Sequence, residues 1–219
     1  MKRTLFTFGI LAVTIATCAS AGARPRLGIK AGMVWADQTW EYREILGAVE
    51  RDTRTGLAFG PCVDVGLTPV FGLQAEALYV QKGNQLKVPI YDQSSPVPIG
   101  TRVFEDRITY LSLLASLKVQ ALGGPLGFYV LGGPRVDLKL GTDSDINDSD
   151  MDRILDSYQS TVAGATVGVG LQHAFGSFGP ILLEARYDLD FSEAAKHVND
   201  ENTLTIDNKS FAILVGLVF

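Results

Sequence analysis

The chain is written largely in two-residue periods. From Ile181 to Phe191 the odd positions read Ile181, Leu183, Ala185, Tyr187, Leu189 and Phe191, while Glu184, Arg186, Asp188 and Asp190 fall on the even ones. Successive side chains of a strand point to opposite faces, so this is a β-strand with one apolar and one charged face. A membrane-spanning helix needs about 20 apolar residues, and no segment after the N-terminal stretch supplies them. The apolar run from Tyr110 to Val119 is broken by Ser112, Ser116 and Lys118. Any passage through a membrane must therefore be made by strands.

Seven further segments split the same way. Leu27, Ile29, Ala31, Met33 and Trp35 oppose Lys30 and two glycines; Leu57, Phe59, Val63 and Val65 oppose Gly56, Gly60, Cys62 and Asp64. Phe71, Leu73, Ala75, Ala77 and Tyr79 oppose Gln74, Glu76 and Lys82, and Leu111, Leu113, Ala115 and Leu117 oppose Ser112, Ser116, Lys118 and Gln120. Phe128, Val130, Val136 and Leu138 oppose Arg135, Asp137 and Lys139; Ala163, Ala165, Val167, Val169 and Leu171 oppose glycines, Thr166 and Gln172. Phe211, Ile213, Val215, Leu217 and Phe219 close the chain over Ser210, Ala212 and Gly216. Eight strands of about 10 to 13 residues are expected, a number that matches the usual length of a tilted membrane strand.

The location of the charges decides which face is inside. Lys30, Asp64, Glu76, Lys118, Arg135, Asp137, Lys139, Glu184, Arg186 and Asp188 all share their face with glycine and other small residues. That mixture suits the crowded lumen of an eight-stranded barrel, wide enough only for side chains, with the apolar face turned to lipid. A soluble barrel carrying a ligand inside, with the faces reversed, is the alternative fold. Ions in so narrow a lumen cost several kcal/mol each if unpaired, so the ten residues are expected to pair into a network that plugs it. A selective ion path is the competing reading of the same residues.

Connections alternate in length. About 20 residues follow Trp35, residues 83–107 separate the third and fourth segments, residues 141–157 the fifth and sixth, and residues 192–207 the last two. Between them stand short links such as Thr68-Pro69-Val70. The expected fold is all-β: an antiparallel up-and-down transmembrane barrel in meander order, with short periplasmic turns and long extracellular loops. Aromatic residues gather where a membrane wall meets water. Phe71, Phe128, Phe175 and Phe219 fall at the short-turn ends, and Trp35, Phe59, Tyr79, Phe191 and Phe211 toward the long-loop ends.

The first residues have another purpose. Lys2 and Arg3 precede an apolar stretch from Leu5 to Thr17 and then Ala19-Ser20-Ala21-Gly22-Ala23, the layout of a secretory signal peptide. Residues 1–21 are read as that signal, with cleavage after Ala21 or Ala23, and residues 22–219 as the barrel domain. The whole chain has 19 basic and 24 acidic residues, a net charge of −5. Nothing in that balance asks for nucleic acid. Removing residues 1–21 also removes Cys18 and leaves Cys62 alone, so an exported fold would hold without an internal disulfide.

Taken in order, Gly28-Ile29-Lys30-Ala31-Gly32, Leu73-Gln74-Ala75-Glu76 with Tyr79, Lys82 and Gly83, Tyr110-Leu111, Gly132-Gly133-Pro134, Glu184-Ala185-Arg186-Tyr187, and Gly216 with Phe219 resemble the PorT-like outer-membrane barrels. Those are eight-stranded, with the architecture of OmpX and the OmpA membrane domain. The family pattern often continues its Tyr-Leu with an acidic residue and Ile-Pro, where Ser112, Leu113 and Leu114 stand here. The resemblance implies a surface or secretion-associated role in the outer membrane of a Gram-negative bacterium. It also implies that Phe219 is the terminal aromatic read by the barrel-assembly machinery.

Other constellations carry less chemistry. Asp143-x-Asp145-x-Asn147 opens like a calcium loop, but Asp148 stands where glycine is needed and Ile154 where a bidentate glutamate belongs, so a solvated acidic loop is expected. His173 is placed by parity on the lipid face and His197 in an extracellular loop; neither shows a nucleophile at a usable spacing. Cys62 reads as a small packing residue of the lumen. The expectation is a monomer with no catalytic residue, cofactor or metal. Its partners are outer-membrane lipid, the assembly machinery and an extracellular or periplasmic protein of unknown kind; a narrow channel and, more distantly, a lipid-modifying enzyme are the alternatives.

Overall fold

The computed structural model describes residues 25–42, 51–91, 98–121, 126–144, 159–174, 179–191, 195–199 and 202–219. These form nine strands and no helix: β1 (Pro25–Tyr42), β2 (Arg51–Gly66), β3 (Phe71–Tyr91), β4 (Pro98–Ala121), β5 (Leu126–Ser144), β6 (Thr161–Ala174), β7 (Pro180–Asp190), β8 (Ala195–Asn199) and β9 (Asn202–Val218). Every pairing is antiparallel, and β1 also pairs with β9, which closes the sheet. The short β8 pairs with β9 alone, Ala195 facing Ile206, on the edge that β7 uses lower down where Leu189 faces Lys209. Thus β7 and β8 are one stave interrupted near Phe191, and the barrel has eight staves, as the alternation predicts.

Register fixes the dimensions. A line drawn across the ladder runs Pro25, Val65, Leu73, Leu117, Gly132, Val167, Tyr187, Phe211 and returns to β1 at Trp35, ten residues beyond its start. With a rise of about 3.3 Å and a strand spacing of about 4.8 Å, this stagger gives a tilt near 40° and a backbone radius of about 8 Å. Such a cylinder has no room for a soluble core beside a channel; side chains fill it.

The alternation sorts as expected. Leu27, Ile29, Leu57, Phe59, Phe128, Val130, Val169 and Val215 are all more than half exposed, while lumen-facing Lys30, Lys118, Asp137, Glu184 and Arg186 are buried. An apolar exterior this continuous is far larger than a soluble monomer tolerates, and lipid is the solvent that suits it. Phe71, Phe128 and Phe219 stand at the short-turn end. At the other end Trp35 packs on Phe211 with ring centroids 5.8 Å apart, and Phe59 on Tyr79 at 5.0 Å, each a cross-strand pair. Phe191 follows directly after β7 and is largely exposed; Phe175 lies outside the described residues.

The long loops need correction. Residues 83–107 are strand for most of their length, since β3 runs to Tyr91 and β4 starts at Pro98, with Gly83 facing Arg107 and Ile90 facing Gly100. Likewise β1 continues to Tyr42 along β9, β2 begins at Arg51, and His197, expected in a loop, lies in β8. Above the membrane both faces of a ladder meet water, so pairing continues after the apolar alternation has ended. Asp143 lies at the end of β5; the rest of the acidic segment, and the expected signal peptide, lie outside the described residues. The turn Thr68-Pro69-Val70 is short as read, and its Thr68 hydroxyl accepts from Phe71 N at 2.8 Å.

Candidate functional site

The lumen holds the chemistry, and glycine makes it possible. Lys30 faces Gly60 on one neighbouring strand and Gly216 on the other; Lys118 faces Gly72, Arg135 faces Gly164, Arg186 faces Gly168, and both Tyr129 and Glu184 face Gly170. A methyl group on Gly216 would stand 2.9 Å from Lys30 Cγ, one on Gly168 3.1 Å from Arg186 Cγ, and one on Gly170 2.6 Å from the Tyr129 hydroxyl oxygen. Lys30, Lys118, Arg135 and Tyr129 each lie across a glycine on the adjacent strand and reach the strand beyond it.

The bridges make that reach, Lys82 doing so across Ile108 rather than a glycine. Lys30 of β1 meets Glu76 of β3 at 2.6 Å, Lys118 of β4 meets Asp64 of β2 at 2.8 Å, and Lys82 of β3 meets Asp137 of β5 at 2.7 Å. Arg135 of β5 meets Asp188 of β7 at 2.9 Å and also pairs with Asp190. Lys30 pairs with Glu184 of β7 as well, across β9. All of these join staves two apart around the barrel. Arg186 goes further, spanning from β7 to Glu76 of β3 with two parallel donations at 2.6 Å.

Three levels result. Nearest the short turns, Lys118 bridges Asp64 and the Gln172 side-chain oxygen at 3.1 Å, stands 4.1 Å from the Tyr129 ring centre, and shares Asp64 with Arg26. At the centre Lys30, Glu76, Glu184 and Arg186 form two cations against two carboxylates. Arg186 Nε donates to Glu184 at 2.6 Å, and the Tyr129 hydroxyl donates to Glu184 at 2.8 Å. All four charged groups are buried, and the paired signs offset a desolvation cost that would be several kcal/mol per lone ion. Nearer the long hairpins, Arg135 and Lys82 meet Asp137, Asp188 and Asp190, while Thr166 and Ser210 donate to Asp188.

Between the central and upper levels lies a cavity of about 20 Å³, room for one water. Val34, Ala58, Leu78 and Val80 form one wall; Arg135, Thr166 and Asp188 form the other. The apolar wall belongs to the face read from sequence as charged and small. Val34, Leu78, Val80, Leu114, Leu131, Leu182 and Leu214 are all buried there.

Nine of the ten charged residues singled out from sequence are in these bridges: Lys30, Asp64, Glu76, Lys118, Arg135, Asp137, Glu184, Arg186 and Asp188. The tenth, Lys139, is partly buried and lies next to a ladder irregularity where Tyr110 faces Lys139 but Thr109 faces Gly141. Cys62 is buried in the lumen beside Tyr129, Leu131, Leu182 and Val218. His173 is exposed on the lipid side at the short-turn end, facing Leu126 and Ile181.

Lys82, Asp190, Tyr129, Gln172 and Arg26 also belong to the network and were not among those ten. A signal for two bridges was present: Gly-Pro-x-Val-Asp occurs at residues 60–64 and again at 133–137. Each copy turns a proline to lipid, where its missing N–H interrupts a ladder, and an aspartate inward to a lysine two staves away.

The outer membrane protein beta-barrel domain family matches residues 20–195. Among solved structures the chain resembles the outer membrane protein OprG from Pseudomonas aeruginosa, with 12% identity, 90% of this chain and 97% of that one covered, and a TM-score of 0.54. It also matches Neisserial surface protein A, with 14% identity, 88% and 97% covered, and a TM-score of 0.48. No curated protein matches the sequence.

Proposed function

Because the chain belongs to the outer membrane β-barrel domain family, we propose that it is an envelope barrel with a plugged lumen, working through what its hairpins present outside the membrane. The role is structural, surface-binding or secretion-associated, as the PorT-like resemblance implies, and no catalytic step is assigned. The observation that carries this reading is the central cluster. Lys30, Glu76, Glu184 and Arg186 join β1, β3 and β7 across the lumen, with the Tyr129 hydroxyl of β5 on Glu184. A permeating ion would have to separate charges that already satisfy each other.

In this proposal residues 1–21 direct export in a Gram-negative cell. The aromatic belts hold a monomer in outer-membrane lipid, and Phe219, whose amide bonds to the Leu27 carbonyl at 2.7 Å at the closing seam, is the assembly contact. The long β3–β4 hairpin, extending from the Tyr79 level to Tyr91 and Pro98, is the surface offered to an extracellular protein.

The test is electrical. Purified protein in planar bilayers is expected to give no steady conductance, and Glu184→Gln none or brief openings. Steady openings in the unmodified protein whose selectivity changes in Arg135→Met would replace the plug with a channel.

A further inference from the structure

The bridges fall into two kinds when sorted by where their partners lie in the chain. Lys30–Glu76, Lys118–Asp64, Lys82–Asp137 and Arg135–Asp188 each lie within three consecutive strands, and Arg186–Glu184 lies within one. These pairs need only an open sheet. Lys30–Glu184 and Arg186–Glu76 are different, because they join the β1–β3 end of the sheet to its β7 end.

We propose that these two contacts are a closure latch, and that Lys30 seated over Gly216 sets the register in which β1 and β9 join. The β1–β9 ladder joins the two ends of the chain, so its loop-closure entropy is the largest in the fold. Its hydrogen bonds alone do not distinguish one register from another. A slip of one residue turns Lys30 to lipid. A slip of two sets Lys30 against Leu214 or Val218, side chains that fill the space Gly216 leaves open 2.9 Å from Lys30 Cγ. In the native register Lys30 reaches Glu184, and two neutral pairs, Lys30–Glu76 and Arg186–Glu184, merge into one cluster. Before closure each end carries its own neutral pair, so neither exposes an unpaired ion.

The latch stands apart from the plug reading: conductance tests that one, and the seam tests this one. The experiment is native-state hydrogen exchange on the full folded chain in detergent micelles, comparing Glu184→Gln with Asp64→Asn. Glu184→Gln is expected to speed exchange at least about tenfold at seam amides of β1 and β9, leaving those between β2 and β3 unchanged. Asp64→Asn is expected to leave the seam as it is. Equal seam exchange in the two variants, or a seam unaltered by Glu184→Gln, overturns the proposal. Lys30→Met, which leaves Arg186 on both glutamates, is the second variant, and a normal seam there overturns it too. If both latch variants fail to close while Asp64→Asn closes, that is the same expected effect at its limit.

Discussion

The central and upper levels of the lumen contain the same kinds of residue and differ in how completely they are satisfied. At the centre two cations face two carboxylates, and Arg186 donates in parallel to Glu76 and through Nε to Glu184. In the upper level Arg135 lies 3.2 Å from Asp137 and 2.9 Å from Asp188, yet its Nε and Nη1 are not aligned for a hydrogen bond, and neither are Asp137 Oδ1 and Asp190 Oδ2. Charge proximity is common to both levels; directional saturation belongs to the centre. The upper level borders the cavity, and its Asp188 side chain keeps 15% exposure. The difference suits a barrel sealed in the middle and looser toward its hairpins.

Arg186→Met is expected to have the largest effect, about 3 to 5 kcal/mol, because it leaves Glu76 and Glu184 to share Lys30. The measurement is urea unfolding in detergent, read by the change in gel mobility between folded and unfolded barrel. Arg135→Met is expected to cost less, about 2 kcal/mol, since fewer of its hydrogen bonds are well made. A cost equal to that of Arg186→Met would erase the distinction between levels. Gly170→Ala places a methyl against the Tyr129 hydroxyl that serves Glu184 and is expected to lose about 1 to 3 kcal/mol by overpacking. Gly141→Ala, at a site open around the added methyl, is its control and should be near neutral. Apart from that control, the smallest effect is expected for Phe211→Ala, about 1 kcal/mol from the pair with Trp35. It lies outside the lumen and should leave the tiers untouched, which the same unfolding curve checks by additivity with Arg135→Met.

Strand number, closure and the assignment of faces were legible because period-two alternation is strongest where one side meets lipid and the other a packed lumen. The ends of the strands were not. Residues 83–91 and 98–107 keep pairing outside the bilayer, where both sides of the ladder meet water and no pattern is imposed. Nine of the ten charges stand in bridges, yet their partners were not legible. A bridge two staves away depends on the register of three neighbouring strands, a property that no single segment carries. Lys82 was passed over for this reason: Asp137 lies far along the chain and becomes its neighbour only across β4.

The seating of each long side chain over a glycine also shapes how this sequence can change. A glycine such as Gly168 is tied to Arg186, so enlarging one demands shrinking the other, on a strand encoded elsewhere in the gene. The lumen therefore tolerates few single changes, whereas the lipid face has room to exchange one aliphatic residue for another, and the two faces of one strand differ in what they permit.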